Sequence, residues 1–166
     1  NAWNNKGWSY SNLKNYKKAI ECYDKATKLN PNDSNTWHNK GFAYANLENY
    51  KKAIECYDKA IKLDPKSDGS WFNKGLEYAN LENYKQSIAC YDKATEINPK
   101  DENAWHNKGQ AYYNLKNKQQ AIACYDKATE IDPKYENAWF GKGFVHFDLE
   151  NYKQSIACYD KATEIN

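Results

Sequence analysis

The chain of 166 residues contains no arginine and no methionine, so all 24 of its basic residues are lysine. Arginine is the side chain best suited to bidentate recognition of phosphate and carboxylate groups. Its absence, together with a net charge of only +2, argues against nucleic acid and anionic membrane surfaces as partners. No apolar run approaches the roughly 18 residues that a transmembrane helix requires, and no signal peptide is recognisable.

Motifs of catalytic and cofactor sites are also lacking. The sequence has no Cys-x-x-Cys pair and no glycine-rich phosphate loop. No nucleophile, general base and orienting partner fall together on one helical face. We therefore predict that the chain is not an enzyme and carries no cofactor.

What the chain has instead is a repeat with a period of 34 residues. Glycine, tyrosine, cysteine, proline and tryptophan all recur at this interval. The tryptophans are Trp3, Trp37, Trp71, Trp105 and Trp139. Such a fixed period is typical of a solenoid, in which each unit buries its apolar face against its neighbours. Solenoids usually present a long surface for binding, so the period favours a binding scaffold.

Residues 34–67 show how one repeat is built. Apolar side chains recur at steps of three and four over 37–47, and again over 50–63, which predicts two amphipathic helices. Gly41 and Ala60 are expected where the two helix backbones approach closely. Each repeat is therefore predicted to be a pair of antiparallel helices joined by a short turn.

Local signals delimit these helices. Asn49 tolerates the left-handed conformation and is expected to end the first helix. Pro65 is expected to stop the second helix, and Asp33 or Ser34 to cap the first.

At this point the repeat resembles the tetratricopeptide repeat family. The positions that carry the resemblance are Trp37, Gly41, Tyr44, Ala53, Tyr57, Ala60 and Pro65. Five copies cover the chain, at 1–33, 34–67, 68–101, 102–135 and 136–166. The resemblance implies an all-α, right-handed α-solenoid of helix-turn-helix repeats forming one domain over 1–166. Because the chain begins at Asn1 inside a repeat, we expect it to belong to a longer protein.

A few positions depart from the family pattern. Lysine stands before the repeated glycine, where its stem can pack while its amine is expected to reach water. Those lysines are Lys6, Lys40, Lys74, Lys108 and Lys142. Ser87 and Ser155 replace a small alanine, His146 replaces a tyrosine, and Lys118 interrupts a row of tyrosines. None of these changes is expected to break the fold.

The five cysteines, Cys22, Cys56, Cys90, Cys124 and Cys158, also lie 34 residues apart. Packed helices stand about 8–10 Å apart, whereas a disulfide needs its Cα atoms within about 7 Å. We therefore expect free, buried thiols and a reducing, cytoplasmic compartment. His38 and His106 lie two repeats apart and cannot share a metal ion at a bond length of about 2.1 Å.

The resemblance implies that the first helices line a concave face that binds peptides. Two asparagine rows run along this face. The first asparagine row is Asn5, Asn39, Asn73 and Asn107, and the second is Asn12, Asn46, Asn80 and Asn114. The other inward positions are Trp8, His38, Phe42, Phe72, His106, Gln110, Tyr113, Phe140 and Phe144.

These rows predict a groove for an extended or helical segment of a partner protein. An asparagine amide can pair with the C=O and the N–H of a peptide unit, while exposed aromatics such as Phe42, Phe72 and Phe140 anchor side chains. The first asparagine row resembles the ladder of the O-linked N-acetylglucosamine transferases. The inward rows lack the lysines and arginines of a carboxylate clamp, so we expect little affinity for acidic tails. The alternative interpretation is that the asparagines merely cover a solvated face.

A second function hypothesis is self-association. Ile156, Tyr159, Ala162 and Ile165 on the last helix are expected to face solvent and to pair with another copy, end to end or as a dimer. Segments 81–98 and 149–166 are identical, which fits recent duplication or a designed, consensus-like repeat protein.

Overall fold

In a computed structural model, which describes residues 2–165, the chain forms ten α-helices and no strand is present over that range. The prediction of an all-α repeat fold is confirmed. The helices are α1 Ala2–Asn12, α2 Tyr16–Leu29, α3 Ser34–Ala45, α4 Tyr50–Leu63, α5 Asp68–Asn80, α6 Tyr84–Ile97, α7 Glu102–Asn114, α8 Lys118–Ile131, α9 Glu136–Asp148 and α10 Tyr152–Ile165. None of these ten is long and apolar enough to cross a membrane.

The chain divides into two compact units, unit 1 over Asn1–Asn83 and unit 2 over Tyr84–Asn166. Unit 1 holds α1 to α5 and unit 2 holds α6 to α10. Within each unit, consecutive helices pack against each other, for example α3 on α4 and α7 on α8.

The turn inside each repeat differs from the prediction by one residue. Glu48, not Asn49, takes the left-handed conformation, with φ of 57°. Asn49 has φ of −90° and caps α4, because its side-chain oxygen accepts the backbone N–H of Lys52 at 3.4 Å. The left-handed residues at the equivalent turns are Lys14, Glu82, Lys116 and Glu150. Asparagine is needed for the cap, so the preceding residue takes the left-handed turn.

The turn between repeats explains why tryptophan and proline share one period. Trp37 Nε1 donates to the Pro31 carbonyl at 2.8 Å. The same bond joins Trp71 to Pro65, Trp105 to Pro99 and Trp139 to Pro133. The predicted stop of α4 is confirmed, since that helix ends at Leu63, before Pro65. Of the two predicted caps of α3, Asp33 or Ser34, the structure has Asp33, whose carboxylate accepts a hydrogen bond from the backbone N–H of Thr36.

The repeated glycine makes room for an aromatic ring. A Cβ atom on Gly41 would stand 2.7 Å from Cε1 of Tyr57, closer than packed atoms allow. At Gly41 the close neighbour is thus the Tyr57 side chain, and at the equivalent Gly109 the backbone carbonyl of Ala121 would also lie within 3.2 Å of an added Cβ atom. Tyr57 is fully buried because its ring fills the space that the missing side chain leaves.

In the second to fifth repeats, the lysine before the glycine is held by an ion pair, contrary to the prediction that its amine reaches water. Lys40 Nζ lies 2.7 Å from a carboxylate oxygen of Asp24, and the lysine side chain is only 13% exposed. The ammonium also lies 4.9 Å from the ring centroid of Trp37. Equivalent ion pairs join Lys74 to Asp58, Lys108 to Asp92 and Lys142 to Asp126. The constant spacing of 16 residues between each aspartate and the lysine that follows it was the signal in the sequence for this pairing.

The prediction of free, buried cysteines is confirmed for all five. Burial raises the pKa of the Cys56 and Cys124 thiols to about 11. These groups therefore stay protonated and pack as small apolar side chains.

Candidate functional site

The predicted inward positions form one surface in each unit. We call the surface formed by α1, α3 and α5 the unit 1 face, and the surface formed by α7 and α9 the unit 2 face. On the unit 1 face, Trp8 is 49% and Phe42 is 41% exposed. Phe72 was expected to be exposed but is half-buried, because neighbouring side chains cover part of its ring.

The unit 2 face carries three exposed phenylalanines on a single helix. Phe140, Phe144 and Phe147 are 57%, 42% and 54% exposed. Their spacing of four and three residues places them along one side of α9. Phe147 was not among the predicted site residues, although it follows the same helical spacing.

The first asparagine row makes hydrogen bonds within the protein. In unit 1, Asn39 Nδ2 donates to Asn4 Oδ1 at 3.3 Å, and Asn73 Nδ2 lies 3.5 Å from Nε2 of His38. In unit 2, Asn107 Nδ2 donates to the carbonyl of Asn103 in its own helix at 2.8 Å. Asn5, the first member, is exposed. The amides of Asn39, Asn73 and Asn107 are therefore partly engaged within the protein, but these bonds leave each amide one further N–H.

The second asparagine row is exposed in both units. Asn46 Nδ2 donates to the carbonyl of Phe42 at 2.9 Å, and Asn114 Nδ2 donates to the carbonyl of Gln110 at 3.0 Å. Asn80 Nδ2 donates to Glu77 Oε2 at 3.0 Å. Asn12 is exposed on α1. This row is therefore held mainly by its own helices, with the amide oxygens turned away from those bonds.

The two histidines of the predicted site have different surroundings. His38 Nδ1 lies 2.9 Å from the Ser70 hydroxyl, and Nε2 lies close to the amide of Asn73. His106 packs its ring against Tyr125 and Tyr135, with centroids 5.5 and 5.4 Å apart, but its buried Nδ1 has no hydrogen-bond partner. Burial lowers the pKa of both imidazoles, so both are neutral at pH 7.

A hollow of about 280 Å³ lies in the unit 2 face, and we call it the α7–α9 hollow. Its lining includes His106, Gln110, Tyr113, Phe140, Gly141 and Phe144. Gly141 breaks the first asparagine row, and a Cβ atom there would stand 2.8 Å from Cζ of Tyr125. The tyrosine ring therefore occupies space that an asparagine side chain fills elsewhere in the row. The sequence showed the substitution but not the hollow.

One cluster on the unit 2 face joins three departures from the repeat pattern. The Tyr113 hydroxyl donates to Asp148 Oδ2 at 2.5 Å, and Lys118 Nζ donates to the Asp148 carbonyl at 2.7 Å. The Tyr113 bond and the nearby lysine lower the pKa of the Asp148 carboxyl. Lys118 interrupts a row of tyrosines and Asp148 ends the second asparagine row, but the pairing of the two was not predicted. Their common signal is that neither fits its row.

The residues predicted for self-association are not all on the surface. Ile156 is 60% exposed, whereas Tyr159 and Ile165 are half-buried and Ala162 is only 5% exposed. The expectation for Ala162 is wrong because it lies on the side of α10 that packs against α9, one turn after the buried Cys158.

Comparison with known families settles the origin of the repeat. The model of the tetratricopeptide repeat matches residues 1–33, 34–67, 70–101, 102–135 and 136–166. The chain belongs to the tetratricopeptide repeat family. No curated protein sequence matches the chain significantly.

Solved structures of tetratricopeptide repeat proteins share the fold. A crystal structure of MamA superposes with a TM-score of 0.92 at 23% identity, covering 96% of this chain and 93% of MamA. MamA from Desulfovibrio magneticus RS-1 gives a TM-score of 0.92 at 22% identity, covering 99% and 93%. YrrB, described as a TPR protein with an unusual peptide-binding site, gives 0.84 at 24% identity, covering 99% and 84%. Membership of this family supports a protein-interaction scaffold.

Proposed function

We propose that this tetratricopeptide repeat chain binds extended segments of a partner protein on its first-helix surfaces, each of which, the unit 1 face and the unit 2 face, is a candidate site by itself. The observation that carries the proposal is the row of Phe140, Phe144 and Phe147, each more than 40% exposed on one side of α9. Contiguous exposed apolar surface usually marks an interaction site, because contact with a partner removes it from water.

The asparagines beside these aromatics suit the backbone of such a segment. Asn39 and Asn107 each give one N–H to the protein, which leaves a second N–H for a peptide carbonyl. Backbone pairing of this kind does not select a side chain, so selectivity comes from the aromatic positions. The peptide-binding site of YrrB supports the proposal, since that protein has a similar fold.

The charges on the two faces favour a neutral or mixed segment over an acidic tail. The first asparagine row carries amides where a carboxylate clamp carries cations. Two cations lie at the edge of the unit 2 face: Lys118, which is paired with Asp148, and Lys116, whose Nζ lies 6.0 Å from the ring centroid of Tyr113. We expect no saturable micromolar binding of a peptide that ends in acidic residues and a free carboxylate.

Selection of a random peptide library against the chain tests the proposal. The unit 1 face is tested by Asn39→Ala/Asn73→Ala and the unit 2 face by Phe144→Ser/Phe147→Ser. Leu29→Ser is the control, because Leu29 is 72% exposed and lies at the end of α2, outside both faces. Enriched peptides should bind at least about tenfold more weakly to one of the double variants, a loss of about 1.4 kcal/mol. Failure to enrich any peptide, or equal binding to all variants, would refute the proposal.

Self-association is the second candidate function. Ile156 is 60% exposed, whereas Ile54 at the equivalent position of the second repeat is 8% exposed. An exposed apolar side chain at a position otherwise buried favours contact with another copy. Sedimentation of Ile156→Lys should then show weaker concentration-dependent association than the unaltered chain and Leu29→Ser. Identical sedimentation of all three would count against this candidate.

A further inference from the structure

The second and fourth repeats place a histidine at the same position but surround it differently. In unit 1, the two ring nitrogens of His38 each have a hydrogen-bond partner, the Ser70 hydroxyl at Nδ1 and the Asn73 amide at Nε2. The residues at the corresponding positions for His106 are Ala138 and Gly141, which lie 32 and 35 residues after it, as Ser70 and Asn73 lie after His38. Neither has a polar side chain. His38 therefore has a polar side chain at both of these positions, whereas His106 has none at either.

The missing partners determine which nitrogen of His106 can serve a ligand. Nδ1 is buried and unpaired, at the position where His38 meets Ser70. Buried N–H groups without a partner are rarer than acceptors without one, so the proton is better placed on Nε2. By register with His38 and Asn73, Nε2 lies on the side of Gly141, where the Tyr125 ring takes the place of an asparagine side chain. His106, Gly141 and Tyr125 all line the α7–α9 hollow. The hollow thus receives an N–H donor.

The walls of the α7–α9 hollow are largely aromatic. Tyr113 and Phe144 meet edge to face with centroids 5.6 Å apart, and Phe140 stands beside them with 57% of its surface exposed. Gln110 adds an exposed amide at the rim. The volume of about 280 Å³ is just below the range of sites for drug-sized ligands, so it suits a single large side chain.

We infer that the α7–α9 hollow is an anchor pocket for one tyrosine side chain of the partner segment, with the phenol oxygen accepting from Nε2 of His106. Aromatic walls favour an aromatic ring, and a hydrogen-bond donor at the end of the hollow favours a ring with an acceptor at its tip. A charged side chain would lose hydration without an opposite charge at this place. This inference rests on the proposed function, because it names the side chain that the unit 2 face selects.

The test is an NMR titration of the isotopically labelled chain with p-cresol, the analogue of a tyrosine side chain, and with toluene. We expect p-cresol to shift the Gly141 amide and the His106 ring signals saturably, with toluene binding about fivefold more weakly, the effect of one hydrogen bond. His106→Phe should bind both compounds equally, because it keeps a ring and removes the donor. Gly141→Asn should abolish binding, because its side chain competes with the Tyr125 ring for the same space and one of the two must enter the hollow. His38→Phe is the matched control and should change neither titration.

The possible results separate this inference from the proposed function. Equal affinity of the unaltered chain for p-cresol and toluene, or p-cresol shifts that persist in Gly141→Asn, would overturn the pocket. If Gly141→Asn does not fold because of the contact with Tyr125, the His106→Phe titration decides alone. Library peptides that bind the chain and Gly141→Asn equally would retain the proposed function and overturn the tyrosine pocket. A library that yields no peptide would overturn both.

Discussion

Tyr23 and Tyr57 provide a sharp test of the packing described above, because only one of these equivalent side chains has a hydrogen-bond partner. Both are fully buried in unit 1. The Tyr23 hydroxyl lies 3.3 Å from the Ser11 hydroxyl, whereas the Tyr57 hydroxyl is buried without a partner. The difference arises because Ala45 occupies the position that corresponds to Ser11. We predict that replacement by phenylalanine destabilises the chain at Tyr23 and not at Tyr57.

The magnitudes follow from the cost of unpaired polar groups. Tyr23→Phe removes a hydrogen bond and leaves the hydroxyl of Ser11, which is only 6% exposed, without its partner. We expect a loss of about 1–2 kcal/mol in the free energy of unfolding. The Tyr57 hydroxyl loses its hydrogen bonds to water on folding and gains none in the protein. Its removal in Tyr57→Phe should therefore leave the free energy of unfolding unchanged or raise it by about 1 kcal/mol. The two variants should then differ by about 2 kcal/mol.

Urea and thermal unfolding measure this difference. About 2 kcal/mol corresponds to roughly 4–8 °C in the melting temperature of a chain of this size. Ala45→Ser is the rescue variant, because it returns a hydroxyl to the position beside Tyr57 and should stabilise the chain by about 0.5–1.5 kcal/mol. Equal destabilisation by Tyr23→Phe and Tyr57→Phe, with no gain from Ala45→Ser, would refute the reasoning.

Three further predictions concern glycine, pH and cysteine. Gly41→Ala forces a methyl group against the ring of Tyr57 and should cost about 1–3 kcal/mol by urea unfolding, whereas Gly69→Ala, whose new atom would lie 3.8 Å from its nearest neighbour, should cost nothing measurable. Burial lowers the pKa of His38, so the unfolded chain binds a proton near pH 6.5 before the folded chain does. Stability should therefore fall as the pH drops below about 6.5, and a pH series on His38→Phe should show a shallower fall; an unchanged slope would contradict this. Cys56, with a pKa raised to about 11, and the other buried thiols should react with Ellman's reagent at pH 8 far more slowly than in urea, and immediate reaction of the folded chain would contradict their burial.

Residue spacing was enough to predict the helix pairs and most of their ends. The step of three and four over 50–63 gave the second helix of the second repeat, and Pro65 its limit. The exact turn was missed because Asn49 suits two roles, a left-handed residue and a helix cap. Only the backbone of the folded turn shows that Asn49 caps α4 while Glu48 takes the left-handed conformation.

The sequence was enough to predict the rows of residues in the candidate site, but not the hydrogen bonds that these residues make. Register placed Asn39, Asn73 and Asn107 on the first helices, but their hydrogen bonds depend on which neighbour each amide meets. The pairing of Lys118 with Asp148 was missed for the same reason, since 30 residues separate them and no local pattern relates them.

The period of 34 residues therefore determined the family, the helix pairs and the side of each helix that carries the candidate site, because these depend on local spacing repeated along the chain. Tertiary structure decided which repeats are different. In the sequence Gly141 is a single departure from the first asparagine row and Ala138 is no departure at all, and only the packed unit shows that together they leave His106 Nδ1 unpaired beside a hollow. A hollow and an unpaired nitrogen are properties of the space between helices, and that space is defined by residues that are distant in the sequence.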